Sequence, residues 1–521
     1  MSRDLLIGLD AGTSMLKAVA FTPEGEQLAT AGLRNKVHHL PDGGVEQDPW
    51  TTWQDCAAVL RALVEKLPDL PKRALALAVT GQGDGTWLID EKGEPLGQAL
   101  LWYDARSAPI VRALRESGVG EKVFLYTGTG LNPSNQSSQL LWLKRERPEL
   151  LERAATAFHC KDWLYFRLTG ERATDLAEGC FTFGDFRHRA YAEEIFELLG
   201  IPELRRLCPP MLDGTRHADR LLPEAAAACG LPEGLPVVLA PVDIVCTGLG
   251  AGLYDPDTSA GLTIVGSTGI HMRLFRRLEE IPLENQAGYV IPFVEPGTWA
   301  GMTSNMASTL NLDWMVGIAR DLIAASGATP PGDVELLKLL DRKVGERPPG
   351  QLLYHPYICE AGERGPFVDS RVRAQFVGLS TAVGPFDLMR AIYEGLGFAA
   401  RDCHAAMGHR PAEIRLAGGA ARSDNLRAIL SATLGVPVRR SLQEEAGAAG
   451  AAMVACLALK LFPDLDAVCR SWVAPNLGPL EQPDTGLIAH YERLFPLYRK
   501  AYRRYFDLWA QLDEIRRGPQ P

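Results

Sequence analysis

The sequence predicts an α/β protein of two domains, each a mixed sheet flanked by helices, and three features carry that expectation. The chain has 521 residues, beyond the size at which a single hydrophobic core keeps growing. Its first eighty or so residues run in the order three strands, helix, strand. The motif that opens the chain, a strand, a glycine and hydroxyl turn and a second strand, then returns in the middle of the sequence, which points to a duplicated fold.

Composition narrows the class. A hydrophobic fraction of 46% with 23% charged residues is that of a globular protein. A formal net charge of −10, with Lys and Arg dispersed, argues against nucleic acid or an anionic membrane as partner. No apolar run is long enough to span a bilayer, and the N-terminus enters a strand without a basic segment and cleavage site, so the expected compartment is the cytoplasm. The ten Cys are scattered without a Cys-x-x-Cys pair, as expected of reduced, packed thiols. The ten His lack ligand spacing and receive no metal.

The opening run is Leu5-Leu6-Ile7-Gly8-Leu9-Asp10-Ala11-Gly12-Thr13-Ser14-Met15-Leu16-Lys17. A turn built on Gly12, Thr13 and Ser14 can converge N–H and hydroxyl groups on phosphate oxygens. Asp10 is an acid suited to Mg²⁺, which takes few carboxylates and keeps its waters. Lys17 can reach the same phosphates. An ordinary hairpin, with its Asp capping the turn and its Lys solvated, would use the same residues.

Residues 27–37 form the third strand. Asp48-Pro49 supplies the cap and first-turn proline of a helix, and Trp53, Cys56, Ala57, Leu60, Leu63, Val64 and Leu67 mark its buried face. Residues 74–80 read as a buried parallel strand ending in Gly81-Gln82-Gly83-Asp84-Gly85-Thr86-Trp87, where Gln82 and Asp84 can face a cleft. Leu101-Trp102-Tyr103-Asp104-Ala105-Arg106 offers a flat apolar ring beside an acid and a base; a packed Trp with a structural Asp/Arg pair is the competing reading. Residues 135–199 are mostly helical. Residues 237–243 form a strand ending in Asp243, followed by a helix over 247–252. Tyr254-Asp255-Pro256-Asp257 sets the expected boundary, giving domains 1–253 and 254–521.

Leu262-Thr263-Ile264-Val265-Gly266-Ser267-Thr268-Gly269-Ile270-His271-Met272 repeats the opening pattern. With strands expected at 289–293 and 298–302 it makes a second meander, and the two turns would grip a polyphosphate from both sides. Helices are expected at 304–323, 385–407, 444–459 and 491–517. Residues 414–420 form a strand running into Gly418-Gly419-Ala420, and Ser423 caps the next helix; such a turn admits a flat ligand such as adenosine, and equally serves as a plain connection.

Taken in order, these motifs resemble the FGGY family of carbohydrate kinases, in the actin-like ATPase superfamily, over nearly the whole chain. The most specific piece is Ala374-Gln375-Phe376-Val377-Gly378-Leu379 followed by Asp387-Leu388-Met389-Arg390-Ala391-Ile392-Tyr393-Glu394, approached by Glu363-Arg364-Gly365-Pro366. The resemblance implies two actin-like (ribonuclease H-like) domains, with ATP in the cleft between them and its γ-phosphoryl passing to a sugar or polyol hydroxyl. By the same resemblance Asp10 holds Mg²⁺, while Gly12, Thr13, Ser14 and Lys17 face Gly266, Ser267 and Thr268 across the phosphates. Gly418, Gly419 and Ser423 take the adenosine side, with Asn311 set beside them. Asp243 falls where the family keeps its catalytic base. Gln82, Asp84, Trp102, Asp104 and Asp243 would bind the acceptor. Gly81 to Trp87 with His159-Cys160-Lys161-Asp162-Trp163-Leu164-Tyr165 is most similar to the family's erythritol kinases, which implies a short linear polyol, with pentulose or glycerol as alternatives. A non-kinase actin-like ATPase, such as a chaperone, filament or sensor, is the reading from another class; it would need neither Asp243 nor the polar loop at Asp84. A homodimer is compatible with all of this.

Overall fold

The computed structural model describes residues 3–284 and 286–517; residues 1–2, 285 and 518–521 of the two expected domains lie outside them. The alternating opening segment forms β1 (Leu5–Ala11), β2 (Met15–Phe21) and β3 (Gln27–Arg34), an antiparallel meander with Asp10 opposite Lys17. Asp48 accepts from the Thr51 N–H at 2.6 Å and so caps α1 (Pro49–Lys66), whose Trp53, Cys56, Ala57, Leu60 and Leu63 are buried. The apolar run after it is β4 (Ala74–Gly81), parallel to β1. Helices α2 (Gln136–Glu146), α3 (Cys160–Thr169) and α4 (Leu176–Phe183) follow. Strands β5 (Asp219–Arg220) and β6 (Pro236–Leu239) complete a mixed sheet in the order β5-β6-β4-β1-β2-β3.

The chain then leaves through α5 (Asp243–Gly250) and builds β7 (Ala260–Val265), β8 (Gly269–Phe275), β9 (Tyr289–Pro292) and β10 (Trp299–Asn305). Helices α6 (Leu310–Ala325) and α7 (Pro385–Ala406) precede β11 (Glu413–Ala417), α8 (Asp424–Leu434) and β12 (Val438–Arg440). This second mixed sheet runs β9-β10-β8-β7-β11-β12, so a hairpin followed by parallel neighbours is built twice. The chain closes with α9 (Ala446–Ala458) and α10 (Thr485–Arg517).

Four expectations shift. Asp243 does not end a strand: β6 stops at Leu239, Pro241 has no N–H to continue the ladder, and Asp243 opens α5. Ser304 and Asn305 remain in β10, paired to Ile270 and Gly269, so the next helix starts at Leu310. The third strand stops at Arg34. The last helix begins earlier, at Thr485, and carries Pro496 inside it.

The two domains share a core at α9. This helix is alanine and glycine along most of its length, is almost wholly buried, and packs on β1, β4 and α5. A methyl added at Gly8 would strike the backbone of Ala448, one at Gly250 that of Ala446, and one at Gly450 that of Cys246. Leu6, Ala76 and Val238 of the first sheet and Leu262 and Met272 of the second belong with α9 to one continuous cluster. Among the described residues no helix is long and apolar enough to cross a membrane.

Candidate functional site

A cavity of about 390 Å³ opens between the two sheets. The first domain contributes Thr13, Gln82, Asp84, Trp102, Ser134, Asp243 and Thr247, and the second Thr268, Tyr289, Ser304 and Arg364. Residues far apart in sequence, expected separately to touch an acceptor or a phosphate, thus meet in one space.

The β1–β2 turn is held by Asn35, which donates to the Thr13 carbonyl at 3.3 Å and also to that of Gly12, while its own N–H donates to the Ser14 carbonyl. Ser14 is exposed, Gly12 and Thr13 are half-buried, and of the three Thr13 lines the cavity. The Thr13 hydroxyl accepts from Trp102 Nε1 at 2.8 Å, tying the loop that carries Trp102 to the hairpin. Behind it the Asp10 Oδ1 is buried with no hydrogen-bond partner among the described residues, and burial pushes the Asp10 pKa up to about 6 against the pull of Lys17. A buried carboxylate oxygen lacking a partner, with Asp243 close enough to repel it, could hold a hard cation. Among the described residues no three His, Cys, Asp or Glu side chains cluster to hold a metal, so such an ion would take most of its ligands from water and phosphate. Lys17 is not free: its ammonium pairs with Glu445 at 2.7 Å, at the start of α9.

On the other side, the Gly266 and Ser267 carbonyls accept from Thr309 and Ser308 N–H at 2.9 and 2.8 Å, which fixes the β7–β8 turn against the start of α6. The Gly266 N–H donates to the Thr268 carbonyl at 3.2 Å, and Thr268 reaches the cavity. Gly418, at the end of β11, has φ +90° and lies so close to β7 that an added Cβ would sit 2.6 Å from the Val265 carbonyl. Beside it Gly419 faces open space, as a site for a flat ligand requires. The Ser423 hydroxyl is committed: it accepts from the Leu426 N–H at 3.0 Å and donates to Asp341 at 2.6 Å. Asn311 is fully buried, donating to the Ser308 and Pro356 carbonyls and accepting from the Tyr354 hydroxyl, and does not line the cavity.

Asp84 is the most constrained residue of the site. Its φ of +55° is uncommon for any residue but glycine and costs on the order of 1 kcal/mol or more unless the surroundings enforce it. They do: its N–H donates to Glu178 at 2.8 Å, its carbonyl faces His159 Nδ1 at 3.1 Å, and its carboxylate accepts from Ser134 and Asn135 at 2.9 and 3.2 Å. Burial pushes the Asp84 pKa up to about 6. Beneath the loop, Lys161 is fully buried between Asp162 at 2.6 Å, Asp175 at 2.8 Å and Glu178 at 3.7 Å. Burial opposes its charge, but these carboxylates keep the ammonium above its ordinary range. Burial also drives the His159 pKa down to about 4, leaving a neutral ring. Gln82 donates to Gln47 at 3.0 Å, while its Oε1 is buried with no hydrogen-bond partner among the described residues.

Asp243 combines position with basicity. It lines the cavity from the first turn of α5, and burial, reinforced by Asp10, pushes its pKa up to about 8. A carboxylate this basic accepts a hydroxyl proton more readily than an ordinary one. Asp104, by contrast, is not brought to the cavity. It is buried beneath it, accepting from the Val45 N–H at 2.9 Å and pairing with Arg106 at 2.6 Å, so its charge holds a loop in place.

Sequence reasoning missed Ser134, Tyr289 and Arg364 on the cavity wall and Glu178 and Lys161 behind it. Arg364 sits in a run read only as a landmark, and no local pattern reveals that residue 364 faces residue 84 across a cleft.

Comparison with known proteins agrees with this geometry. The model of the FGGY carbohydrate kinase N-terminal domain matches residues 5–250 and that of the C-terminal domain residues 261–459. The chain is 47% identical to the erythritol kinase of Brucella abortus (strain 2308), with 98% of each chain covered. It is 28% identical to the L-xylulose/3-keto-L-gulonate kinase of Escherichia coli (strain K12), with 97% of each covered. The crystal structure of xylulose kinase from Rhodospirillum rubrum superposes with a TM-score of 0.86 at 26% identity, covering 97% of this chain and all of that one. Both halves of the molecule and the cavity between them therefore have one explanation: the chain belongs to the FGGY family of carbohydrate kinases, enzymes that use ATP to phosphorylate a sugar or polyol.

Proposed function

We propose that the acceptor is a short linear polyol, erythritol first, and that Asp243 takes the proton from its terminal hydroxyl as the γ-phosphoryl is transferred. The observation that carries this reading is the shared cavity, where the basic Asp243 stands with Gln82, Asp84 and Trp102. Its volume is near the lower end for ligand pockets, as suits a small acceptor. The Asp84 carboxylate can accept from acceptor hydroxyls, the Gln82 Oε1 lacks a strong donor, and the Trp102 ring offers an apolar face to the carbon chain. The 47% identity to an erythritol kinase supports the same acceptor, whereas the xylulose kinases are more distant.

Phosphoryl transfer depends on positioning and on neutralising charge. In this proposal Gly12, Thr13 and Ser14 hold phosphate oxygens from one domain and Gly266, Ser267 and Thr268 from the other. Gly418 and Gly419 leave room for the adenosine. Asp10, with its unpartnered oxygen, would hold Mg²⁺, which supplies charge neutralisation when bound. Asp243 keeps its place through the first turn of α5. The cysteines, unpaired among the described residues, fit a reducing compartment, and we place the enzyme in the cytoplasm.

The test is ADP release, coupled to a reporter, over erythritol, glycerol, D- and L-xylulose and no acceptor. Erythritol should give the highest kcat/KM. A xylulose or glycerol optimum would overturn the acceptor, and ATP turnover indifferent to every acceptor would overturn kinase action on this class.

A further inference from the structure

We propose that Arg364 is the second domain's acceptor-binding residue, its guanidinium bonding the acceptor's hydroxyls from one side of the cavity while Asp84 of the first domain bonds them from the other. The inference rests on the polyol reading above.

Arg364 is a built feature of the site. Its backbone N–H donates to the buried Glu363 carboxylate at 2.9 Å, and the same carboxylate accepts from the Met306 N–H at 2.8 Å. Asn305, the last residue of β10, donates to the Gly365 carbonyl at 2.8 Å, so the loop is fastened to the end of a central strand. The Arg364 Nε donates to Ser304 at 2.9 Å, which fixes the stem and leaves the terminal nitrogens of the guanidinium for the cavity that Arg364 lines. The guanidinium carbon stands 5.9 Å from the centre of the Trp102 ring, across the cleft on the other domain.

Its charge lies at the acceptor end. Arg364 acts electrostatically on Asp84 and on Tyr289, while the charges that act on Asp10 and Asp243 come from Lys17, Glu445, Lys161 and each other. A guanidinium only donates, and a carboxylate such as ionised Asp84 only accepts. A polyol hydroxyl does both. A chain of neighbouring hydroxyls can therefore accept from Arg364 and donate to Asp84, which bridges two fixed groups of opposite sign on separate domains. An acceptor with fewer hydroxyls completes fewer of these bonds, so the pair selects for hydroxyl number.

The experiment compares wild type with Arg364→Gln and Arg364→Lys in two measurements: steady-state kinetics and calorimetric polyol binding without nucleotide. Arg364→Gln should raise the erythritol KM and Kd at least tenfold with kcat within about threefold of wild type, Arg364→Lys should recover part of the loss, and ATP affinity and melting midpoint should be unchanged. An erythritol Kd within twofold of wild type overturns the inference. So does a loss confined to kcat, which would put the guanidinium on the transferring phosphoryl instead. Wild type that ignores every polyol would overturn the acceptor reading itself, a distinct result.

Discussion

Replacing Asp84 by Asn should make the protein more stable and the enzyme worse. The Asp84 carboxyl has a pKa near 6 in the folded chain against 3.8 for an unperturbed Asp, because burial disfavours its charge. The shift is about two units, and at about 1.4 kcal/mol per unit the folded state gives up about 3 kcal/mol to keep the group ionised at neutral pH. The sign follows from proton binding: between about pH 4 and 6 the folded chain holds a proton that the unfolded chain has released, so stability falls as pH rises through that window. Asn keeps the shape, tolerates the left-handed φ, and can still face Asn135 with its oxygen and Ser134 with its amide. It removes the buried charge. Its melting midpoint should exceed that of wild type at pH 7, and the gap should close by pH 4, where wild-type Asp84 is itself protonated. Catalysis should move the other way. A hydrogen bond to a charged group contributes about 1 to 1.5 kcal/mol more than a neutral one, so kcat/KM for the polyol should fall about five- to twelvefold. Thermal melting across pH and ADP-release kinetics check the two halves. An Asn variant less stable at pH 7 with unchanged kcat/KM would refute both the burial cost and the substrate contact.

Other outcomes follow from neighbouring groups. Asp243→Asn should lower kcat by at least a hundredfold, in the range of a lost general base, with ATP affinity within twofold by fluorescent-nucleotide titration. In wild type, kcat/KM should rise with pH as Asp243 ionises, on a limb that ends near pH 8. Asp10→Asn should raise the Mg²⁺ concentration giving half-maximal rate; an unchanged Mg²⁺ titration would remove Asp10 from that role. Lys161→Met strands three buried carboxylates around an apolar chain, and breaking such a cluster costs about 3 to 5 kcal/mol, readable as a lowered melting midpoint.

The parts of the molecule legible in its sequence are those where local chemistry decides. The alternation of β1 and β2, the Asp48 cap and the buried stripe of α1 each follow from neighbours within a turn or a strand. The repeated hairpin exposed the duplication, and Thr13, Gln82, Asp84, Trp102, Asp243 and Thr268 line one cavity. What escaped depends on distant partners. Asp104 looks like a site acid, but Val45 and Arg106 claim it from below. Lys17 alternates toward the cleft, yet Glu445 lies within reach only because α9 folds back onto β2. Arg364 becomes a wall of the cavity because β10 ends where it does. Sequence periodicity carries no term for any of these.

The contact between α5 and α9 has a mechanical consequence. Gly250 and Gly450 bring the two helices together backbone against backbone, with glycine and alanine where other helix pairs interlock long side chains. Surfaces without ridges can slide by shear, since no rotamer has to change for one helix to move along the other. The same closeness makes the joint intolerant: any side chain at Gly450 would meet the Cys246 backbone and push on α5, the helix whose first turn carries Asp243.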